Sequence, residues 1–196
     1  QNIIREMKRP EWALRTLING QPNFEVLKPY MPKNLNLKQL GKFMNATFEG
    51  RLNEEKVMKL RDLWKGKLVI KGVESEADVE TAIQLGLDGI IISNHGGRQV
   101  DMGQATITSL KNILPKYKDK INIMMDSGIR VGADIGRALS SGADFTFLGR
   151  SFMYGVSALG KKGGDHTISI LKAQLTQVME QMCCENPYQL RENLIK

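Results

Sequence analysis

No stretch of the chain approaches the roughly 20 consecutive apolar residues that a membrane-spanning helix needs, and no basic segment followed by an apolar core marks a secretory leader. Cysteine is scarce. The two present, Cys183 and Cys184, are adjacent, too cramped for an ordinary disulfide, and have no zinc-ligand spacing around them. They read as reduced thiols, and the default location is the cytoplasm. Lys and Arg exceed Asp and Glu, 28 against 21, which suits a nucleic acid, an anionic membrane surface or a phosphorylated ligand. The basic residues are scattered through residues 1 to 72, however, and do not line one helix face among aromatics. That argues against nucleic acid and leaves peripheral contact with the inner face of a membrane open. The chain also begins at Gln1 without an initiator Met. The expectation is a fragment or a processed product, and 196 residues suffice for one ordinary domain or part of a larger one.

Up to about Gly50 the signals are irregular, with Pro10, Asn19-Gly20, Pro22, Pro29 and Pro32 punctuating segments too short to make a core. Helical turns are expected at Trp12 to Leu17 and near Leu37 to Phe43. A better helix follows, with Asn53 as N-cap, Glu54 and Glu55 in its first turn, Val57, Leu60 and Trp64 on one face, and Lys65-Gly66 as its end. From Leu68 the pattern becomes regular. Leu68 to Lys71 reads as a short buried strand, and a helix over Ala77 to Leu85 opens on a Ser75/Asp78 capping box and ends at Gly86. Gly89 to Ile92 is an all-apolar buried strand. A helix over Ile107 to Leu114, a strand over Ile121 to Met125, a short helix through Ile135, Ala138 and Leu139, and a strand over Phe145 to Leu148 complete a βαβαβαβ order. Gly86-Leu87-Asp88 and Gly142-Ala143-Asp144 occupy matching places, which indicates a repeating βα unit, and right-handed crossovers make the sheet parallel. The helix over Thr167 to Met182, with Ile168, Leu171, Leu175, Val178 and Met182 on a stripe, is too short for a coiled coil and reads as an outer helix packed on the sheet.

Chemistry concentrates at the C-terminal ends of these strands, where α/β sheets and β/α barrels place their sites. The first strand ends in Lys71 and the second in Ser93-Asn94-His95-Gly96-Gly97-Arg98-Gln99. The third ends in Asp126-Ser127-Gly128-Ile129-Arg130 and the fourth in Gly149-Arg150. A lone loop histidine is ordinarily a surface residue, and Gly-Gly is ordinarily a turn. Four strand ends in register reverse that preference. His95 can take a proton near neutral pH, and the Arg98 guanidinium matches a carboxylate or phosphate. Gly128 and Gly149 free backbone N–H groups for an anion, Arg130 and Arg150 supply charge, and a short helix over Ser151 to Leu159 adds its N-terminus.

Val69-Ile70-Lys71-Gly72, the Ser93 to Gln99 run, Asp126 to Arg130 and Leu148-Gly149-Arg150 together resemble the FMN-dependent α-hydroxy-acid oxidase and dehydrogenase family, in order and spacing from about Phe48 to Met182. The Asp-Ser-Gly-Ile-Arg wording and Arg61-Asp62-Leu63-Trp64 are closer to its L-lactate dehydrogenase branch. The resemblance implies an α/β fold, the C-terminal half of a (β/α)8 TIM barrel with four parallel strands. Residues 1–66 then form a connecting excursion and helix before the barrel's fifth strand, and residues 67–196 the half-barrel with its flavin and substrate loops and final helices. It implies FMN as cofactor and oxidation of an L-2-hydroxy acid, L-lactate foremost, to the 2-keto acid. His95 is the implied base, and Arg98 the clamp on the substrate carboxylate. The resemblance further implies that Lys71 sits at the pyrimidine edge of the flavin and stabilises its reduced form, that Ser93 contacts the ring, and that Asp126, Ser127, Gly128, Ile129, Arg130, Gly149 and Arg150 hold the ribityl phosphate. Asp126 is alternatively a structural anchor for its loop. No metal is implied, and a homo-oligomer is expected.

The family's barrel has eight strands, so the substrate-binding tyrosines, the N-terminal flavin contacts and an Asp oriented toward the catalytic His are expected from a missing half, supplied in cis or by another chain. The competing reading is a non-catalytic phosphate- or flavin-binding half-barrel or assembly module. Another phosphate-binding barrel enzyme, such as an isomerase, accounts for the last two loops but not for His95 with Arg98.

Overall fold

The computed structural model describes residues 10–19, 25–32, 35–47 and 52–193. The turn signals at Gly20 and Pro22, and the Phe48 start of the resemblance, lie outside them. The chain divides into two units, Gln1–Arg51 and Leu52–Lys196. In the first, the turns expected around Trp12 belong to helix α1, Pro10–Asn19, with proline at the first helical position, where its missing N–H costs nothing. Helix α2, Leu37–Thr47, outruns its expected end at Phe43. It opens on a reciprocal cap: the Gln39 amide donates to Asn36 Oδ1 at 2.9 Å and the Asn36 amide to Gln39 Oε1 at 3.0 Å.

The second unit opens with helix α3, Glu54–Leu63, whose N-cap Asn53 accepts from the Lys56 amide as expected. Only Val57 of the expected apolar face is buried; Leu60 and Trp64 are half exposed. The helix stops at Trp64, before Lys65-Gly66, because the Arg61 guanidinium takes the Trp64 and Gly66 carbonyls and turns the chain away. Four strands follow, β1 Val69–Val73, β2 Gly89–Ile92, β3 Asn122–Met125 and β4 Phe145–Thr146, all parallel and in sequential order. Between them lie α4 Glu76–Gln84, α5 Thr106–Tyr117 and α6 Gly132–Ser140, followed by α7 Arg150–Leu159 and α8 Gly163–Gln181. A sequential parallel order with right-handed crossovers puts the connecting helices on one face. That is an arc of a β/α barrel and not a doubly wound sheet, whose order reverses at a switch point.

The two faces differ accordingly. Ile70, Ile90 and Ile123 are in register, as are Val73, Ile92 and Met125, and this face meets the helices. Ile90, Ile92 and Ile123 are fully buried, each contributing about 1.5–3 kcal/mol through apolar burial. The opposite face carries Lys71, Ile91, Met124 and Phe145 in register, and Val69, Phe145 and Phe147 on it are 38%, 57% and 39% exposed. β1 is therefore not the buried strand its apolar residues predict. It is a sheet edge, covered on one face only, and the same edge position leaves β4 at two residues in place of four.

The repeated Gly-x-Asp has a common geometry. Gly86 and Gly142 take φ of +69° and +109°, which favours glycine. Asp88 Oδ2 accepts the Leu68 amide at 2.9 Å and Asp144 Oδ2 the Ile123 amide at 2.8 Å. Each aspartate returns its own amide to that residue's carbonyl. One carboxylate thus ties each strand start to the strand before it. A hydrogen bond from Lys67, then one from the Leu68 amide and one from Arg61, hold the Asp88 carboxyl at about 2 against an ordinary 3.8, over the opposing effect of burial. Because the folded-state value is the lower, the stability from this carboxylate is complete above about pH 3.8 and lost as pH falls toward 2. Acid unfolding followed by circular dichroism should therefore steepen in that window, and Asp88→Asn should flatten it; an unchanged acid profile in the variant would remove Asp88 from this role.

Helices α7 and α8 cross at Gly155 and Gly163, where a Cβ on either would collide with the other backbone. On α8, Leu171 of the expected stripe is buried, while Ile168 is 53% exposed.

Candidate active site

The C-terminal strand ends open on one cavity of about 520 Å³, lined by residues of all four loops. From β1 comes Lys71. A bulge falls between Lys71 and Val73, with Gly72 at φ +97°, so the lysine stays on the open face of the sheet while Val73 returns to the core. The Lys71 ammonium donates to Ser93 Oγ at 2.9 Å and pairs with Asp126 Oδ2 at 2.9 Å. Burial drives the Asp126 carboxyl upward, but hydrogen bonds from Ser93, Lys71 and Ser127 outweigh it and leave the group below the usual carboxylate range. Asp126 is thus a charged anchor joining the β1, β2 and β3 ends.

The β2 loop is built on special backbone. His95, Gly96 and Gly97 all have positive φ, at 54°, 69° and 72°. Ser93, 2% exposed, accepts the His95 amide at 3.2 Å. The Gly96 amide donates to Asn94 Oδ1 and to Ser127 Oγ, both at 3.0 Å. His95 and Arg98 are exposed and line the cavity. Among the described residues, neither the imidazole nor the Arg98 guanidinium has a hydrogen-bond or ion-pair partner of its own. The imidazole lies over Gly72, where a Cβ would come within 3.2 Å of His95 Cε1.

The β3 loop places Ser127 at φ +73° and Gly128 at φ +80°. Ser127 donates to Asp126 Oδ1 at 2.7 Å, and its carbonyl accepts from Thr106 Oγ1 at 3.1 Å. The Ile129 side chain is buried in the core, so only its backbone faces a ligand. Asp134 receives the Arg130 amide at 3.0 Å, and the Arg130 carbonyl accepts from Ser151 Oγ at 2.8 Å. From the β4 end, Gly149 and Arg150 border the same cavity, and Arg150 donates to the Gly96 carbonyl at 2.5 Å. A Cβ at Gly128 or Gly149 would meet nothing within 4 Å, and their amides have no protein acceptor among the described residues.

The cavity thus brings together Lys71, His95, Arg98, Arg130 and Arg150 with one paired carboxylate, Asp126. The net local charge is positive and suits a carboxylate or phosphate. All expected site residues line it except Ser93, which stands beneath Lys71. Sequence reasoning did not single out Phe147, Met153 and Tyr154, which also line it, nor Asn94 and Gly72. The last two stand inside the quoted motifs and could have been found there; Met153 and Tyr154 follow Arg150 by less than a helical turn and a half and carry no signal of their own.

Comparison with known proteins agrees with this fold. The family model described as FMN-dependent dehydrogenase matches residues 1–196. An L-lactate dehydrogenase of Bartonella tribocorum is 31% identical over 195 residues, covering 95% of this chain and 51% of the relative. One from Actinobacillus pleuropneumoniae is 36% identical over 180 residues, covering 91% and 47%. Among solved structures, the monotopic membrane protein (S)-mandelate dehydrogenase superposes with a TM-score of 0.87 at 31% identity, covering 99% of this chain and 51% of that one. A soluble mutant of the membrane-associated (S)-mandelate dehydrogenase from Pseudomonas putida gives 0.71 at 35% identity, covering 90% and 51%. The chain spans about half the length of the curated relatives it matches. Four parallel strands in sequential order, a polar cavity at their C-terminal ends and a family match over the whole chain lead to one conclusion: the chain belongs to the FMN-dependent dehydrogenase family.

Proposed function

We propose that this chain carries the phosphate-binding and proton-accepting half of an FMN-dependent barrel enzyme that oxidises an L-2-hydroxy acid, L-lactate foremost, to its 2-keto acid. The observation that carries the reading is the single cavity shared by His95, Arg98 and Lys71 with Gly128, Arg130, Gly149 and Arg150. The residues fit the cofactor. Two open glycine amides and two guanidiniums form a donor set for a phosphate dianion, and Asp126, Ser127 and Ile129 frame it. FMN, when bound, supplies the two-electron acceptor. Lys71, steadied by Ser93 and Asp126, places a positive charge at the cavity wall, where it would favour a reduced, anionic group. Arg98 offers a free fork to the substrate carboxylate, and His95 takes a proton from the substrate as it loses two electrons. The names of the curated relatives favour lactate; those of the solved neighbours make mandelate the competing substrate.

Completion of the barrel by further strands and homo-oligomer formation belong to the same proposal, supported by the uncovered apolar side chains of the open sheet face. So does peripheral membrane contact. Among the described residues no helix is long and apolar enough to cross a membrane, whereas Leu14, Leu17 and Ile18 of α1 are 59%, 80% and 74% exposed.

Titration with FMN and with riboflavin tests the phosphate site. FMN should bind roughly 10–10²-fold tighter, the worth of one or two charge-assisted hydrogen bonds, and equal affinities would defeat the assignment. Turnover of the complete barrel with L-lactate, glycolate and (S)-mandelate, using oxygen, quinone or cytochrome acceptors, tests the reaction. A flavin-loaded barrel inert toward all three would favour the assembly-module alternative.

A further inference from the structure

The peptide unit of Gly96 is gripped at both ends by neighbouring loops. Its N–H donates to Asn94 Oδ1 and Ser127 Oγ, both at 3.0 Å, and its carbonyl accepts from the Arg150 guanidinium at 2.5 Å. The guanidinium also packs on this residue, since a Cβ at Gly96 would come within 3.0 Å of an Arg150 nitrogen. Directly before it stands His95, a non-glycine residue at φ +54°. A side chain in that region is strained and persists only while its surroundings hold it. The backbone on either side of the imidazole is held by Ser93 Oγ on the His95 amide and by the Arg150 contact on the Gly96 carbonyl.

Arg150 has a second engagement. It is the first residue of α7 and borders the cavity beside Gly128, Arg130 and Gly149. A guanidinium is planar and carries five N–H donors, so fixing its plane at one edge fixes the donors at the other. We propose that Arg150 is a positioning residue that couples the anion site to the His95 loop, so that a phosphate group bound beside Gly128 and Gly149 aligns the Arg150 plane and steadies the Gly96 peptide and with it His95. The inference rests on the reading of this cavity as the FMN phosphate site. It adds a consequence: with the phosphate in place, the proton acceptor is held more tightly in the position these contacts already give it.

The chain has only two histidines, His95 and His166, so their imidazole Cε1–H resonances can be told apart by a His166→Asn variant. Inorganic phosphate is the probe, because it brings no ring current of its own. In the unaltered full chain, titration with phosphate should shift or sharpen the His95 signal along the phosphate binding curve measured by calorimetry, leaving His166 unmoved. Arg150→Lys keeps the charge but not the rigid fork; it should bind phosphate within about tenfold of the parent and lose the His95 response. Arg150→Gln, a second variant, should need more phosphate and show the same silence once saturated. A His95 response of parental amplitude in Arg150→Lys would overturn the coupling, as would phosphate binding to the parent with no effect on His95. Parallel FMN titration separates the two ideas: FMN binding with an unresponsive His95 defeats the coupling alone, and failure of both FMN and phosphate to bind defeats the cofactor reading along with it.

Discussion

His95→Gln should lower kcat for L-lactate by roughly 10²–10⁴-fold in the complete barrel, the range over which a positioned general base accelerates proton transfer. Glutamine is close in size and keeps hydrogen-bonding capacity, but it cannot accept the proton. The imidazole lines the cavity and has no hydrogen-bond or ion-pair partner among the described residues, so the substitution breaks neither there. FMN affinity should stay within a few-fold, since the proposed phosphate contacts come from the β3 and β4 loops. Steady-state turnover and flavin titration on the same preparation check both halves, and a variant with parental kcat would end the assignment of His95 as the base.

Replacing Arg98 should produce the second large effect. Two charge-assisted hydrogen bonds to a substrate carboxylate are worth about 3–4 kcal/mol when one partner is removed, so Arg98→Met should lower kcat/KM by roughly 10²–10³-fold. Arg98→Lys restores the charge without the planar fork and should fall between the two. The guanidinium is exposed and unpaired among the described residues, so stability should barely change. 1,2-Propanediol, which has the lactate hydroxyl but no carboxylate, provides the control. The parent should discriminate strongly against it and Arg98→Met should not, whereas undiminished discrimination in the variant would assign the carboxylate to another residue.

Much of this site could be read in one dimension because barrel chemistry sits where strands end. The Gly89 to Ile92 run locates a buried strand, and the polar cluster that follows is necessarily at its C-terminal end. The two Gly-x-Asp copies likewise announce a repeat, and both aspartates make the same reciprocal contact with the preceding strand start. Burial was less legible. Val69 and Phe145 look like core residues in a linear string, yet both lie on an open sheet face, because exposure depends on which neighbours a strand has and not on its own composition. For the same reason the apolar spacing of Val57, Leu60 and Trp64 overstated the buried face of α3.

The sequence by itself determined the order of βα units, the parallel sense of the sheet and the identity of the charged groups at its strand ends, since each follows from local periodicity, capping and crossover handedness. Only the tertiary structure decided how those groups engage one another. Lys71 pairs with Asp126 across 55 residues, His95 rests on the Gly72 bulge, and Arg150 reaches back to Gly96 across 54. No spacing rule links such positions. They meet because parallel crossovers bring successive strands' C-terminal ends to the same end of the sheet, and there a planar guanidinium or a carboxylate can bind two loops at once.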